Sequence, residues 1–219
     1  MEDNNLENIW NKKPHIAISG IIGVGKTTLA TSLSKVMNIP VYYEPVNDNG
    51  YLEDFYKNPR AYSFNLQIYL LQKRFAQQQQ IIWSNEGGIQ DRSIYEDIIF
   101  AKILKDENLM EKRDYETYIH LFDDISKFMQ RPDIIIHLEA TPEESLERIK
   151  KRSRGCETVI TIDYLNKLKD GYSSFIKEIS KKIPVFSVNW SKFKDPQILA
   201  NMINSELEKI SNIVKIDNF

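Results

Sequence analysis

An α/β fold with a five-stranded parallel sheet flanked by helices follows from three observations on this sequence. Short β-like runs alternate with longer helical ones, a glycine-rich turn joins the first of those runs to the first helix, and 219 residues with 42% hydrophobic side chains suffice for one domain with a full core.

Residues 1–13, rich in Asn, Glu and Lys, carry little periodic signal and read as a flexible leader, leaving 14–219 as the single domain. Strand-like runs follow at 15–19 (HIAIS), 40–44 (PVYYE), 87–91 (GGIQD), 133–139 (DIIIHLE) and 183–188 (IPVFSV). An amphipathic run at 28–37 separates the first two. Before the third strand, a long helical run sets Phe64, Ile68, Leu71 and Phe75 in an apolar stripe beside a face bearing Gln67, Leu70 and Arg74. The runs 93–104 and 115–129 are helical, aromatic and apolar enough to cover more than the sheet. At Thr141, Pro142 and Glu144 a Thr cap, a Pro at the first helical position and a Glu three after the cap start the next helix. Asp195-Pro196 repeats the device before a last helix, whose Ile198, Leu199, Met202, Ile203, Leu207 and Ile210 are spaced to pack on the sheet.

Composition narrows the partners. A formal net charge of −2 and a pI near 6.0 do not supply the field a nucleic-acid backbone requires, so small molecules are the expected ligands and no nucleic-acid partner is expected. Cys156 is the only cysteine, which forbids an intrachain disulfide. The first residues, MEDNNLENIW, are acidic where a secretory signal would be basic and then apolar, so a reducing, cytoplasmic setting is expected. No apolar run approaches the roughly 20 residues a bilayer requires, so no membrane span is expected. His15, His120 and His137 fall in strand and helix patterns without zinc-site spacing and read as structural.

The strongest local signal is GIIGVGKT at 20–27. Gly20, Gly25, Lys26 and Thr27 satisfy G-x-x-x-x-G-K-[ST], with a strand before it and a helix after it, which is the context of a phosphate-binding P-loop. The glycines, Gly23 included, let backbone N–H groups turn toward phosphate oxygens. Lys26 reaches the β- and γ-phosphates, Thr27 supplies a hydroxyl to Mg²⁺, and Thr28 continues the helix start whose dipole favours anions. A GTPase would add a guanine-reading N-K-x-D, and the nearest string, at 166–169, lacks the Asp.

Carboxylates stand where an open parallel sheet opens its ligand crevice. Glu44 ends the second strand against Pro45, and Asp91 ends the third, followed at once by Arg92. One can meet a substrate hydroxyl and the other a metal, with Arg92 near the transferring phosphate. Glu139, after the most apolar strand, rivals Asp91 for the metal side, and periodicity does not separate them. Between Arg148 and Arg154, five of seven residues are cationic (Arg148, Lys150, Lys151, Arg152, Arg154), a pattern read either as a solvated helix C-terminus or, beside a P-loop, as a phosphate-clamping lid at about 150–158. Gln67 carries an amide that donates and accepts in one plane, which suits the edge of a nucleobase.

Together these motifs resemble the deoxyribonucleoside kinases, from about Pro14 through at least Phe175. The ordered set is GIIGVGKT, YYEPV, FYKNPRAYSFNLQ with Arg74 downstream, QDRSIYEDIIFAK and RIKKRSRGCE. Thymidylate kinases share the P-loop but not this series. The resemblance implies a P-loop NTPase fold with an arginine-rich lid, and ATP as phosphate donor with Mg²⁺. By it, Glu44 is the general base for the sugar 5′-hydroxyl with Arg92 close by, Tyr56 and Glu157 hold the 3′-hydroxyl, and Gln67 faces the base. Thr27 and Asp91 belong to the Mg²⁺ side, which demotes Glu139, and Arg148, Arg152 and Arg154 belong to the lid. Arg74 and Asp97 match the pair that accompanies purine or cytosine substrates, so deoxyadenosine, deoxyguanosine or deoxycytidine is expected over thymidine. Two departures are Cys156, where many relatives carry a second acid, and Leu70, bulkier than expected beside the base.

The expected reaction is direct in-line transfer of the ATP γ-phosphoryl to a deoxyribonucleoside 5′-oxygen in nucleotide salvage. The enzymatic alternative is a nucleoside monophosphate kinase, whose anionic acceptor Glu44 would repel. The alternative of another class is an ATP-binding regulatory protein. Because family members pair subunits through helices like those at 93–104 and 115–129, a homodimer is expected.

Overall fold

The computed structural model describes residues 13–46, 49–152, 157, 159–191 and 195–216, with the backbone alone at 196 and 208–216. The leader proposed for 1–13 is therefore outside the described residues except for Lys13, as are Arg154 and Cys156 of the lid.

The first strand, β1 (His15–Ser19), is buried along its whole length, and Ile16, Ala17 and Ile18 alternate between two covered faces. A run apolar on both faces belongs in the middle of a parallel sheet, and β1 lies there. Its neighbours are β3 (Gly88–Asp91) on one side and β4 (Ile134–Glu139) on the other, with β2 (Val41–Tyr42) and β5 (Val185–Asn189) at the edges, all parallel in the order β2-β3-β1-β4-β5. Ile18 is in register with Asp91, which brings the carboxyl ends of β1 and β3 abreast.

Helices α1 (Lys26–Met37), α2 (Leu52–Lys57), α3 (Pro59–Ser84), α4 (Asp97–Asp106), α5 (Lys112–Ser126), α6 (Pro142–Arg152), α7 (Ile162–Ile179) and α8 (Pro196–Ile216) are the α-helices among the described residues, and a 3₁₀ turn at Ile94–Glu96 precedes α4. Their starts are chemically marked. Asn58 accepts from the Ala61 N–H at the head of α3. Thr141 and Glu144 form the reciprocal capping box expected for α6, at 3.2 and 3.0 Å, and Asp195 caps α8 through the Gln197 N–H at 2.8 Å.

One core joins the sheet to α1, α7 and α8, with Ile16, Ile18, Leu29, Leu33, Leu165 and Leu168 fully buried. A second lies among α3, α4 and α5, where Leu71, Ile94, Ala101, Tyr118, Phe122 and Met129 meet Phe64, Ile68 and Phe75. The stripe read on α3 is thus consumed by the neighbouring helices. Gly171, inside α7, marks a close approach, since a Cβ there would lie 2.5 Å from Ile99 Cγ2 of α4.

Three sequence expectations need adjustment. The β2 ladder ends at Tyr42, so Glu44 lies two residues beyond the strand, because an edge strand pairs on one side only and Pro45 ends the extended run. On α8, Ile198 and Met202 are 60% and 62% exposed, while Leu199, Ala200 and Ile203 are buried and Leu207 packs beside them. The inward stripe is the single i, i+4, i+8 row, and the row one residue earlier turns away by about 100°. The side chain of Ile210 lies outside the described residues. Finally, the apolar faces of α4 and α5 are largely spent on α3, while Leu121 on α5 and Phe128, just beyond its end, remain exposed.

Candidate active site

The carboxyl ends of β1 and β3 open into a cavity of about 720 Å³. Its phosphate end is the turn between β1 and α1. There Gly23 takes φ +81°, and a Cβ would fall 2.5 Å from the Ser145 carbonyl oxygen of α6, so only glycine lets the loop pass beneath that helix. Lys26, buried, folds its ammonium back over the loop and donates to the carbonyl oxygens of Gly20 and Ile21 at 3.0 and 3.1 Å. Burial, and then the nearby Arg92, pull its pKa down to about 8 against the attraction of Glu44 and Asp91. Thr27 and the exposed Thr28 line the same wall.

Asp91 closes β3, and its Oδ2 accepts the Thr27 hydroxyl at 2.5 Å. Its Oδ1 is buried with no hydrogen-bond partner among the described residues, and burial raises its pKa despite Lys26. A hard oxygen pair with one orphaned carboxylate oxygen fits a Mg²⁺ ion that keeps most of its waters. Glu139, the rival, sits at the exposed end of β4 and accepts from the Ser187 hydroxyl. No cluster of three or more His, Cys, Asp or Glu suited to a metal exists among the described residues.

Next to Asp91 the backbone of Arg92 adopts φ +73°, a left-handed conformation that L residues rarely hold, fixed by its N–H on the Ile18 carbonyl at 3.0 Å. This turn aims the guanidinium inward, where Nε lies 2.8 Å from Glu44 Oε1 and the plane sits 4.6 Å from the Phe100 ring centre. Arg74, from α3, reaches the same oxygen at 3.1 Å and Asp97 Oδ1 at 2.6 Å. Burial pushes the Glu44 carboxyl up, but Arg92, Lys26 and Arg74 outweigh it and hold the group at about 2. Burial dominates at Asp97 and leaves it at about 6 in spite of Arg74 and Arg92. Both arginine side chains are 2% exposed, and each is matched by more than one carboxylate.

The rest of the cavity wall is softer. Gln67, Leu70 and Arg74 line it from one face of α3, as their spacing predicts, with Tyr56 from α2 and Glu157 from beyond α6. Arg148 and Arg152 also line it, but both guanidiniums are engaged. Arg148 donates to the Val24 carbonyl of the phosphate loop at 2.9 Å and to the Trp190 carbonyl at 3.0 Å. Arg152 clasps Glu157 through two bonds of 2.9 and 2.6 Å.

Sequence reasoning passed over Phe100 and Tyr164, which line the cavity, and Glu96 and Tyr172 behind Arg92. Glu96 had a signal, since Ser93-x-x-Glu96 spells a capping box that the structure completes. Tyr172 had none, being one aromatic among many on an amphipathic helix.

The sequence from 16 to 213 matches the family model described as deoxynucleoside kinase. A deoxyadenosine kinase of Dictyostelium discoideum is 58% identical over 196 residues, covering 90% of this chain and 80% of the relative. A deoxyadenosine/deoxycytidine kinase of Bacillus subtilis (strain 168) is 36% identical over 208 residues, covering 93% and 94%. Among solved structures, the deoxyadenosine kinase of M. mycoides with the products dCMP and a flexible dCDP bound superposes with a TM-score of 0.79 at 34% identity, over 90% of this chain and 99% of that one.

Proposed function

The chain belongs to the deoxynucleoside kinase family and phosphorylates deoxyribonucleosides, and from that premise we propose that deoxyadenosine is its preferred acceptor and ATP its donor. The observation that carries the reading is the buried part of the cavity wall, to which Gln67 and the Arg74–Asp97 pair contribute. Asp97 Oδ2 is buried without a partner among the described residues, and a carboxylate there accepts from an exocyclic amino group such as adenine N6 or cytosine N4. Thymine offers a carbonyl in the equivalent place, which the carboxylate repels. The 58% identity to a deoxyadenosine kinase supports adenine over cytosine.

Residue roles follow in the same reading. Gly20, Gly23, Gly25, Lys26, Thr27 and Thr28 cradle the donor phosphates, and Glu44 accepts the 5′-hydroxyl proton as that oxygen attacks the γ-phosphorus and ADP leaves. Arg92 holds Glu44 and the transferring group. Tyr56 and Glu157 take the 3′-hydroxyl, and Arg148, Arg152 and Arg154 close over the phosphates. Thr27 and Asp91 would hold Mg²⁺, which would supply positive charge against the donor phosphates. For the lid arginines to reach phosphate, Arg148 must leave its carbonyls and Arg152 must leave Glu157.

The test is labelled ATP with the four deoxyribonucleosides and their monophosphates. Deoxyadenosine should give the highest kcat/KM, thymidine a value at least about 10²-fold lower because a buried acid is left facing a carbonyl, and the monophosphates no product. Thymidine as the best acceptor, or turnover of a monophosphate, would overturn the assignment.

Leu121 on α5 and Phe128 just beyond its end, both left exposed, support a homodimer as the working state, so light scattering should return twice the 25.7 kDa chain mass. A monomer at micromolar concentration would refute it. No helix of the described residues is long and apolar enough to cross a membrane.

A further inference from the structure

Arg92 is held from the side opposite the cavity as well as from within it. Its Nη1 donates to the Tyr172 hydroxyl at 2.6 Å, and that hydroxyl donates its own proton to Glu96 Oε2. The other oxygen of Glu96 accepts the Ser93 N–H at 2.9 Å, so the carboxylate is fixed by the residue that follows Arg92 in the chain. Tyr172 comes from α7, eighty positions away, and is 1% exposed. Its ring is gripped on three sides, stacked on His137 at 5.7 Å and edge-on to Phe100 and Phe175 at 6.4 Å each. Neither Tyr172 nor Glu96 lines the cavity. A guanidinium whose backbone sits at φ +73° has no regular secondary structure to direct it, and these two groups supply the missing constraint.

We propose that Tyr172 and Glu96 are positioning residues for phosphoryl transfer, a rear clamp that sets the guanidinium plane of Arg92 so that Nε, and with it Glu44, stand in line with the acceptor oxygen. The inference rests on the roles given above to Glu44 and Arg92. Geometry of this kind is costly to lose, since a misplacement of about 1 Å lowers turnover by up to about 10²-fold.

Tyr172→Phe keeps the ring and its packing and deletes only the hydroxyl, and Glu96→Gln keeps an oxygen for the Ser93 N–H. Each should lower kcat by about 10- to 100-fold while the KM for deoxyadenosine stays within about threefold. In an Arg92→Lys background, where the forked donor is gone, adding Tyr172→Phe should cost almost nothing more. A merely structural role would lower the melting temperature and leave kcat per folded enzyme unchanged, and that result in either single variant would overturn the proposal. Equal losses from Tyr172→Phe with and without Arg92 would also overturn it. If Arg92→Lys itself kept wild-type turnover, the role of Arg92 would fail and the clamp with it, whereas a silent Tyr172→Phe beside a crippled Arg92→Lys sinks the clamp alone.

Discussion

Replacing Glu44 by Gln should lower kcat by about 10²- to 10⁴-fold, the range a positioned general base contributes, with a smaller change in the KM for deoxyadenosine. Both arginine contacts, from Arg92 and Arg74, use Oε1, which makes Oε2 the oxygen available to the 5′-hydroxyl. Gln preserves the shape and an acceptor oxygen but cannot take the proton. A carboxylate held at about 2 is a weak base in the ground state, so in the proposed role it would take the proton only as the bond to phosphorus forms.

Two checks separate this loss from unfolding. The folded-state pKa of Glu44 is depressed, so the group contributes stability above its unfolded pKa of 4.5 that is lost as pH falls through about 2. At pH 7 the Gln variant therefore forgoes about 3 kcal/mol, yet Arg74 keeps Asp97 and Arg92 keeps Glu96 and Tyr172, so it should fold and turnover can be normalised to folded enzyme. Wild-type activity should also show no acid limb from Glu44 between pH 5 and 8. A Gln variant within threefold of wild-type kcat would remove Glu44 from the chemistry.

How much of this was legible beforehand depends on the range of the interaction. The phosphate loop is eight contiguous residues, and the two faces of α3 repeat every three to four, so both could be read without knowing what packs where. Which acid serves the metal side could not. Asp91 and Glu139 end β3 and β4, which flank β1 on its two sides, and strand order is a property of pairing rather than of either strand's composition. The resemblance implied Asp91, and the structure adds only that its carboxylate accepts the Thr27 hydroxyl at 2.5 Å. The Arg92–Tyr172–Glu96 contacts were out of reach for the same reason, as α7 is brought to Arg92 only by the assembled core. At α8 periodicity named the right helix but too wide a face, because aliphatic side chains can stand in solvent at little cost.

Lys26 allows the sharpest separation of stability from function. Lys26→Met should lower kcat by about 10²- to 10³-fold, as expected for loss of one fixed charge at the transferring group, leave deoxyadenosine affinity nearly unchanged, and melt no lower than the wild type. The sign follows from its pKa. Burial depresses it from 10.5 to about 8, so the group favours the folded state above its unfolded pKa, and that contribution is lost as pH falls through about 8. At pH 7 the charged ammonium thus costs about 3 kcal/mol of folding free energy, which its two bonds to the Gly20 and Ile21 carbonyls only partly offset. A triphosphate supplies the missing anion, so ATP affinity measured by calorimetry should weaken as pH rises through about 8 in the wild type and stay flat in Lys26→Met. Full turnover in the Met variant, or wild-type ATP affinity indifferent to pH between 7 and 9.5, would show that this buried charge is kept for some purpose other than the donor phosphates.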